Sequence, residues 1–229
     1  MIDDKCAELW CKTTIYKKRI ASANKIILDG LNVCKQPFVS CSFGKDSAVM
    51  LHLVQNHVRN IEARFLRWPE TNIINNYEDV IAQWDALGAN IKILDMARDR
   101  LNENVADRWS SLAKISDSDG SFVGLRADES KGRRITLRAN GVVYKSKSGF
   151  YRICPLAYWK SEDVAAYAYQ HDLPMLNTYK DSGYQSRTSS RIPRSDFGIR
   201  EEMLRDLKIK NPAGFKELEK IYSEVSEYA

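Results

Sequence analysis

The chain has 229 residues, 44% hydrophobic and 28% charged, the balance of a soluble globular protein, which excludes low-complexity and collagen-like chains. No apolar run approaches the roughly 18 residues of a membrane span, and Met1 opens onto Ile2-Asp3-Asp4-Lys5 rather than a signal sequence, so a cytoplasmic protein with no membrane partner is expected. Lysine and arginine exceed aspartate and glutamate by 35 to 30, and the resulting net charge of +5 does not by itself indicate nucleic acid, because an anionic small molecule accounts for it equally well.

Between Asp3 and Asp29 the apolar positions Cys6, Leu9/Trp10, Tyr16, Ile20, Ala23 and Ile26/Ile27 recur at three and four, which predicts one long amphipathic helix with Gly30 placed to end it. The basic cluster Lys17-Lys18-Arg19 is most simply its solvated face. The five cysteines, Cys6, Cys11, Cys34, Cys41 and Cys154, form no CxxC pair and argue for free thiols, with neither a zinc site nor an Fe–S cluster.

From Phe38 to Ser42 a short apolar run gives way to helical spacing at Val49/Met50 and Leu53/Val54, with polar and glycine residues at the change. A strand, a tight loop and a helix are expected there. Such a loop points backbone N–H groups, the positive end of the helix dipole and Lys45 at one spot, an anion cradle made of Ser40, Ser42, Phe43, Gly44, Lys45, Asp46 and Ser47. No earlier glycine supplies the GxxxxGK[ST] pattern. The order Ser-x-Gly-Lys-Asp-Ser instead resembles the PP-loop of the adenine nucleotide alpha-hydrolase superfamily, usually SGGKDS. Phe43 replaces the first glycine, a cheap change provided that position 43 does not need positive φ.

Ile61–Leu66 alternates as a strand should and runs into Arg67-Trp68-Pro69-Glu70-Thr71. A helix follows through Ile73/Ile74, Tyr77, Val80/Ile81, Trp84 and Leu87, with Gly88 at its end, and Ile91–Leu94 is a third strand. This alternation calls for a parallel sheet with its ligand at the carboxyl ends of the strands. Trp68-Pro69-Glu70-Thr71 resembles the "FPET" segment of the PAPS reductase family, which makes Glu70 a nucleotide-binding candidate. Read as residues alone, Glu70 and Thr71 serve the first-turn amides of a helix.

Residues 96–115 carry a helical pattern and Ser121–Leu125 a fourth strand. At its end, Gly124-Leu125-Arg126-Ala127-Asp128-Glu129-Ser130-Lys131-Gly132-Arg133-Arg134 sets guanidinium groups beside carboxylates, an oxyanion clamp. The segment resembles the "GxRxxES…R" motif of PAPS reductases at Gly124, Arg126, Glu129, Ser130 and Arg133. Ile135 to Tyr144 then reads as two alternating runs about Asn140-Gly141, a hairpin, with Phe150–Cys154 a further strand. This insertion is equally readable as a flap near the substrate or as a structural hairpin.

Pro155–Val164 leads into a helix capped by Ser161 and closed by His171-Asp172-Leu173-Pro174, similar to the family's "PL…W…DV…Y…H.LP" stretch. Tyr167 and His171 share a face, and His171 is read as a helix-end hydrogen-bonding residue. Residues 178–195 form a basic, Gly/Pro-punctuated loop in which Tyr179…Gly183-Tyr184 resembles the reductases' "LY..GY.S.GC", with Arg187 where they carry cysteine. Two helices, 197–209 and 214–227, are expected to follow.

The resemblance implies a single PAPS reductase-like α/β domain, a parallel twisted sheet with flanking helices, a β-hairpin insertion and a helical C-terminus. Its parts are the N-terminal helix (1–30), the nucleotide-binding core (31–176), and the basic loop with the C-terminal helices (177–229). It implies ATP or PAPS as the nucleotide, with Gly124, Glu129 and Arg187 joining the cradle residues, and Mg²⁺ held by Asp46. Catalysis is assigned to Lys45, Asp46, Arg126 and Arg133. Because no cysteine follows Cys154 in this sequence, the expected chemistry is cleavage of ATP at the α-phosphate, with Arg187, Arg191 and Arg194 replacing the thiol by charge. Two other readings stay open: a sulfonucleotide reductase, and a non-catalytic nucleotide-binding subunit. The acceptor is unidentified, and a protein partner, a second copy of the chain and nucleic acid are all open as partners.

Overall fold

The computed structural model describes residues 2, 4–97, 101, 118–147, 149–194 and 197–228. The strands are β1 (Pro37–Ser40), β2 (Glu62–Arg67), β3 (Asn90–Asp95), β4 (Gly120–Val123), β5 (Val143–Lys145) and β6 (Tyr151–Ile153), joined in one sheet in the order β3-β2-β1-β4-β6-β5. All neighbours pair parallel except β5 and β6, which run antiparallel at the edge. The chain leaves β1 toward β2 and β3 on one side and returns to β4 on the other. The carboxyl end of β1 is thus a switch point, where an open parallel sheet leaves a crevice for a ligand.

Helix α1 (Asp4–Cys11) and helix α2 (Thr14–Val33) replace the single N-terminal helix predicted from spacing. The break has a local cause: the Thr13 hydroxyl accepts from Tyr16 N and donates to Trp10 O, capping α2 before α1 can continue into it. Nor does Gly30 end α2, which runs three residues further. A Cβ there would lie 2.7 Å from Ile153 Cγ2, so this glycine serves close helix-to-strand packing.

Helix α3 (Lys45–Gln55) follows β1 and is apolar nearly all round, burying Val49, Met50, Leu51, Leu53 and Val54 at about 1.5–3 kcal/mol each. The next predicted helix is split into α4 (Thr71–Ile74) and α5 (Tyr77–Ala86) by the extended backbone of Asn75, and Gly88, at φ 83°, terminates the second as expected. The helix predicted over 96–115 falls almost wholly outside the described residues.

The hairpin predicted about Asn140-Gly141 is corrected: residues Lys131–Asn140 form a helix, α6. Ser130 caps it by accepting from Arg133 N, and Gly141, at φ 84°, ends it. The hairpin lies one step later, between β5 and β6. Helix α7 (Ser161–Gln170) begins one residue earlier than expected, with Lys160 rather than Ser161 at its cap and Asp163 accepting from Lys160 N at 2.7 Å. At its end the His171 ring packs at a tilt on Tyr167, centroids 4.3 Å apart, and His52 of α3 hydrogen-bonds the Tyr167 hydroxyl.

The basic loop begins with a short helix, α8 (Asn177–Ser182), that the sequence reading missed. The chain then closes with α9 (Phe197–Lys210), α10 (Pro212–Ile221) and a 3₁₀ turn over Ser223–Tyr228. These pack Leu204, Phe215, Leu218 and Tyr222 with Ile192 into a second apolar cluster beside the main core. Among the described residues no helix is long and apolar enough to cross a membrane.

Candidate active site

The carboxyl end of β1 runs into Cys41-Ser42-Phe43-Gly44, and α3 starts at Lys45. Phe43 has φ 51°, so the proviso on its substitution fails: a bulky side chain occupies the left-handed region. That conformation costs roughly 1–2 kcal/mol. Full burial of the ring, edge-on to Phe65 at 5.4 Å, offsets it by about as much or more. Phe43 therefore shapes the loop through its backbone while its side chain points into the core.

Ser47 ties the loop together. Its hydroxyl accepts from Ser42 N at 3.1 Å, donates to Gly44 O at 3.0 Å and lies 3.2 Å from Ser42 Oγ. Lys45 is buried, and desolvation pulls its ammonium below the usual lysine range against the pull of Asp46, whose Oδ2 is 3.8 Å away.

The clamp arginines are held by different carboxylates. Arg126 is 2% exposed, and its Nε lies 2.8 Å from Asp46 Oδ1, beneath the loop rather than facing the cavity. Glu129, expected to orient both arginines, forms its ion pair with Arg133 and meets Arg126 through the latter's backbone, its carboxylate accepting from Arg126 N and its own N–H donating to Arg126 O. At Gly124 a Cβ would lie 3.2 Å from Asp46 C, so the end of β4 passes against the start of α3 with no room for a side chain.

Residues 179–191 cross over the loop. The Tyr179 hydroxyl accepts from Lys45 N at 3.1 Å and shares a 2.5 Å hydrogen bond with Thr188; Lys45 Nζ donates to Ser186 O at 2.9 Å, and Arg187 Nη2 to Glu129 O at 2.7 Å. Between this strap and the sheet lies a cavity of about 460 Å³, within the range of small-ligand sites. Of the residues proposed from sequence, Ser40, Ser42, Gly44, Lys45, Asp46, Ser47, Gly124, Glu129, Arg133 and Arg187 line it. Phe43, Arg126 and Glu70 are not among its lining residues.

Glu70 is fully buried, and its carboxylate accepts from Ile192 N at 3.1 Å and from the Tyr222 hydroxyl at 2.7 Å. It fastens the far end of the strap and the C-terminal helices to the sheet, and its side chain makes no cap at α4. Thr71 helps, donating to Ser190 O at 2.8 Å. The sequence reading did not assign Trp68, Tyr179, Thr188, Ser189 and Ser190 to the site, yet all five line the cavity, as does Arg191, which it placed over the loop in the thiol's stead. Arg191 stacks at 5.5 Å on the Trp68 ring, where a flat aromatic ligand would find a wall. Their one legible signal was the reductase-like tyrosine segment.

No thiol in the described chain is poised for attack. Burial pushes Cys41, on the cavity wall, and Cys154 each up to about 12, the neighbouring Arg152 lowering the latter only in part. Asp46 is a poor metal ligand, since its carboxylate is committed to Arg126 and Lys45 while Glu129 is taken by Arg133. Among the described residues no group of three or more His, Cys, Asp or Glu could hold a metal ion. The residues present thus do not fit the Mg²⁺ expected at Asp46.

Residues 36–186 match the phosphoadenosine phosphosulfate reductase domain family. The chain is 31% identical to the phosphoadenosine 5'-phosphosulfate reductase of Thiocapsa roseopersicina and 29% to that of Xanthomonas axonopodis pv. citri (strain 306), covering 78% of this chain in both and 81% and 80% of the relatives. Among solved structures it resembles Candida glabrata FMN adenylyltransferase in complex with FAD and inorganic pyrophosphate, at a TM-score of 0.58 and 14% identity, covering 77% of this chain and 66% of that one. The same enzyme with FMN and AMPCPP aligns at a TM-score of 0.52 and 13% identity, covering 72% of this chain and 62% of that one, so this chain spans about three fifths of its length. At such identity the likeness establishes the fold alone. The match over residues 36–186, with the PP-loop, the clamp and the tyrosine segment in one order, places this chain in the phosphoadenosine phosphosulfate reductase family.

Proposed function

We propose that the cavity binds an adenine nucleotide by its anionic 5′ chain, and that this enzyme attacks the anhydride at the α-phosphorus. The observation that carries the reading is the convergence of Lys45, at the start of α3, with Arg133 and Arg187 on one cavity at the switch point of the sheet. When the anhydride bond breaks, negative charge grows on the departing group. Lys45, the loop amides and the two guanidinium groups stabilise that charge from positions fixed before the reaction. The nucleophile takes the adenylyl group; Trp68 and Arg191 offer the flat wall for the base. The resemblance to an FMN adenylyltransferase solved with an ATP analogue supports nucleotidyl transfer at the level of fold only.

A second reading, reduction of a sulfonucleotide, is favoured by the name carried by the relatives at 29–31% identity. A phosphate–sulfate anhydride presents the same kind of anion to the same residues. Against it stand the protonated thiols of Cys41 and Cys154 and a strap that carries arginine rather than cysteine over the loop.

Calorimetry with ATP, AMP, PAPS and APS tests the binding step, and product analysis tests the chemistry. Pyrophosphate released from ATP supports the first reading. Sulfite released from PAPS or APS with a dithiol donor replaces it with the second, and binding of a nucleotide without turnover leaves a non-catalytic subunit. Failure of all four to bind overturns the site itself.

A further inference from the structure

Helix α6 carries Lys131, Arg133, Arg134 and Arg138 and no acidic residue. Lys131, Arg134 and Arg138 follow one another at three and four, so they form one stripe, about 10 Å long, and all three are exposed. Some exposed cations on other helices are answered by carboxylates one turn away, as Arg205 is by Glu201 and Lys210 by Asp206. Among the described residues no carboxylate pairs with any member of this stripe. Lys131, Arg133 and Arg134 moreover stand in the first turn, where the helix dipole disfavours cations, so the local preference of the helix does not explain them. Arg133 of the same helix lines the cavity, so the stripe, which faces about 130° away from it around the helix, still lies within roughly one helix diameter of the candidate site.

We propose that the stripe binds the phosphate backbone of a single-stranded nucleic acid, and that this strand is the acceptor: an oxygen of its base or ribose bonds to the α-phosphorus of ATP, the α–β anhydride bond breaks, pyrophosphate leaves and the proton passes to water. The inference deepens the nucleotide reading and rests on it. Two of the three stripe residues are arginine, whose forked donors suit phosphate. A membrane surface does not suit the helix: Leu137 is buried with Cys154 and Ala157, and Ile135 is the one large apolar side chain exposed on it. The strand is unpaired because a reacting base or ribose has to enter a cavity of about 460 Å³, which a base held in a duplex does not do.

The test is fluorescence anisotropy with labelled 20-nucleotide single-stranded RNA and DNA of mixed sequence. It compares the wild type, a Lys131→Gln/Arg134→Gln/Arg138→Gln variant, and a control of equal charge, Arg205→Gln/Lys208→Gln/Lys210→Gln on α9. The wild type is expected to bind with a steep salt dependence. The stripe variant should lose at least tenfold in affinity, and its log–log salt slope should fall by about 2, at roughly 0.7 per phosphate contact. The control should lose less than threefold. An equal loss in the control, an unchanged stripe variant, or tighter binding of anionic vesicles than of either oligonucleotide would each overturn the proposal. Calorimetry with ATP and PAPS on the same variants separates the two readings: nucleotide binding with no oligonucleotide binding sinks only this one, and the reverse sinks the nucleotide site.

Discussion

Lys45 Nζ donates to the carbonyl oxygen of Ser186 at 2.9 Å, and with it the strap supplies the loop lysine with an oxygen acceptor. A bound phosphate chain would exchange that neutral carbonyl for an anion, and the gain comes from charge. Lys45→Ala should therefore weaken binding of ATP or PAPS by about 1.5–3 kcal/mol, the worth of a charge-assisted hydrogen bond. Isothermal calorimetry checks it, with circular dichroism to show the fold intact; unchanged affinity would remove Lys45 from the site.

Phe43 gives a prediction in which two effects oppose each other. Phe43→Gly relieves roughly 1–2 kcal/mol of left-handed strain but empties a fully buried ring site, which costs about 3–5 kcal/mol. Burial wins, so urea unfolding should report a protein less stable by about 1–4 kcal/mol. Nucleotide affinity should stay near that of the wild type, because the ring does not line the cavity. A variant more stable than wild type would show that the loop, not the core, governs position 43.

The strands and the cradle were legible because their causes are local: a short apolar run, a change of period, and polar residues at the change. Helix α6 was misread for a local reason too. Ile135-Thr136-Leu137-Arg138 alternates apolar and polar before Asn140-Gly141, and the same residues fit a helix whose buried side holds only Leu137, with Ser130 and Gly141 as its caps. Of the roof of the site only the tyrosine segment and the loop arginines were legible, and none of its contacts was. Tyr179 meets Lys45 across 134 residues of sequence, and Glu70 meets Tyr222 across 152, contacts that exist only once the C-terminal helices have folded back. Glu70 shows the limit: the motif marked it, but its task is to fasten the strap.

That role is testable. Glu70→Ala leaves the Ile192 amide and the Tyr222 hydroxyl buried without this acceptor, at about 1–3 kcal/mol for each group. Limited proteolysis should then cut within residues 186–194 faster than in the wild type, with Arg187, Arg191 and Arg194 as trypsin sites. Equal cleavage rates would show that the strap is held without Glu70.

The buried thiols predict an alkaline instability. Folding raises Cys41 and Cys154 each to about 12 from an unfolded value near 8.5, so the native state keeps protons that the unfolded chain gives up. The stability they contribute is full below pH of about 8.5 and is lost as pH rises toward about 12. Unfolding measured from pH 8 to pH 10.5 should fall more steeply in the wild type than in a Cys41→Ala/Cys154→Ala variant. Thiol reagents at pH 8 should spare both residues until the protein is denatured. Rapid labelling of either in the native protein would restore a thiolate to the site, and with it the reductase reading.

The ion pair of Asp46 and Arg126 separates a structural clamp from a catalytic one. Arg126 is buried and Asp46 Oδ1 lies 2.8 Å from its Nε, so breaking the pair by Asp46→Asn leaves a buried cation with Asp128, 4.0 Å away, as its remaining charge partner among the described residues, at up to about 3–5 kcal/mol. Arg126→Lys keeps the charge but moves it off the position that Nε holds, and should also be destabilising, whereas Arg133→Lys, at the cavity, should weaken nucleotide binding with little change in stability. The double variant Asp46→Asn/Arg126→Met removes both charges together and should recover a good part of the stability lost in Asp46→Asn. The discriminating measurement is nucleotide affinity in that double variant. If the pair only shapes the loop, affinity returns along with stability; if stability returns and affinity does not, the Asp46 carboxylate or the Arg126 guanidinium acts on the ligand itself.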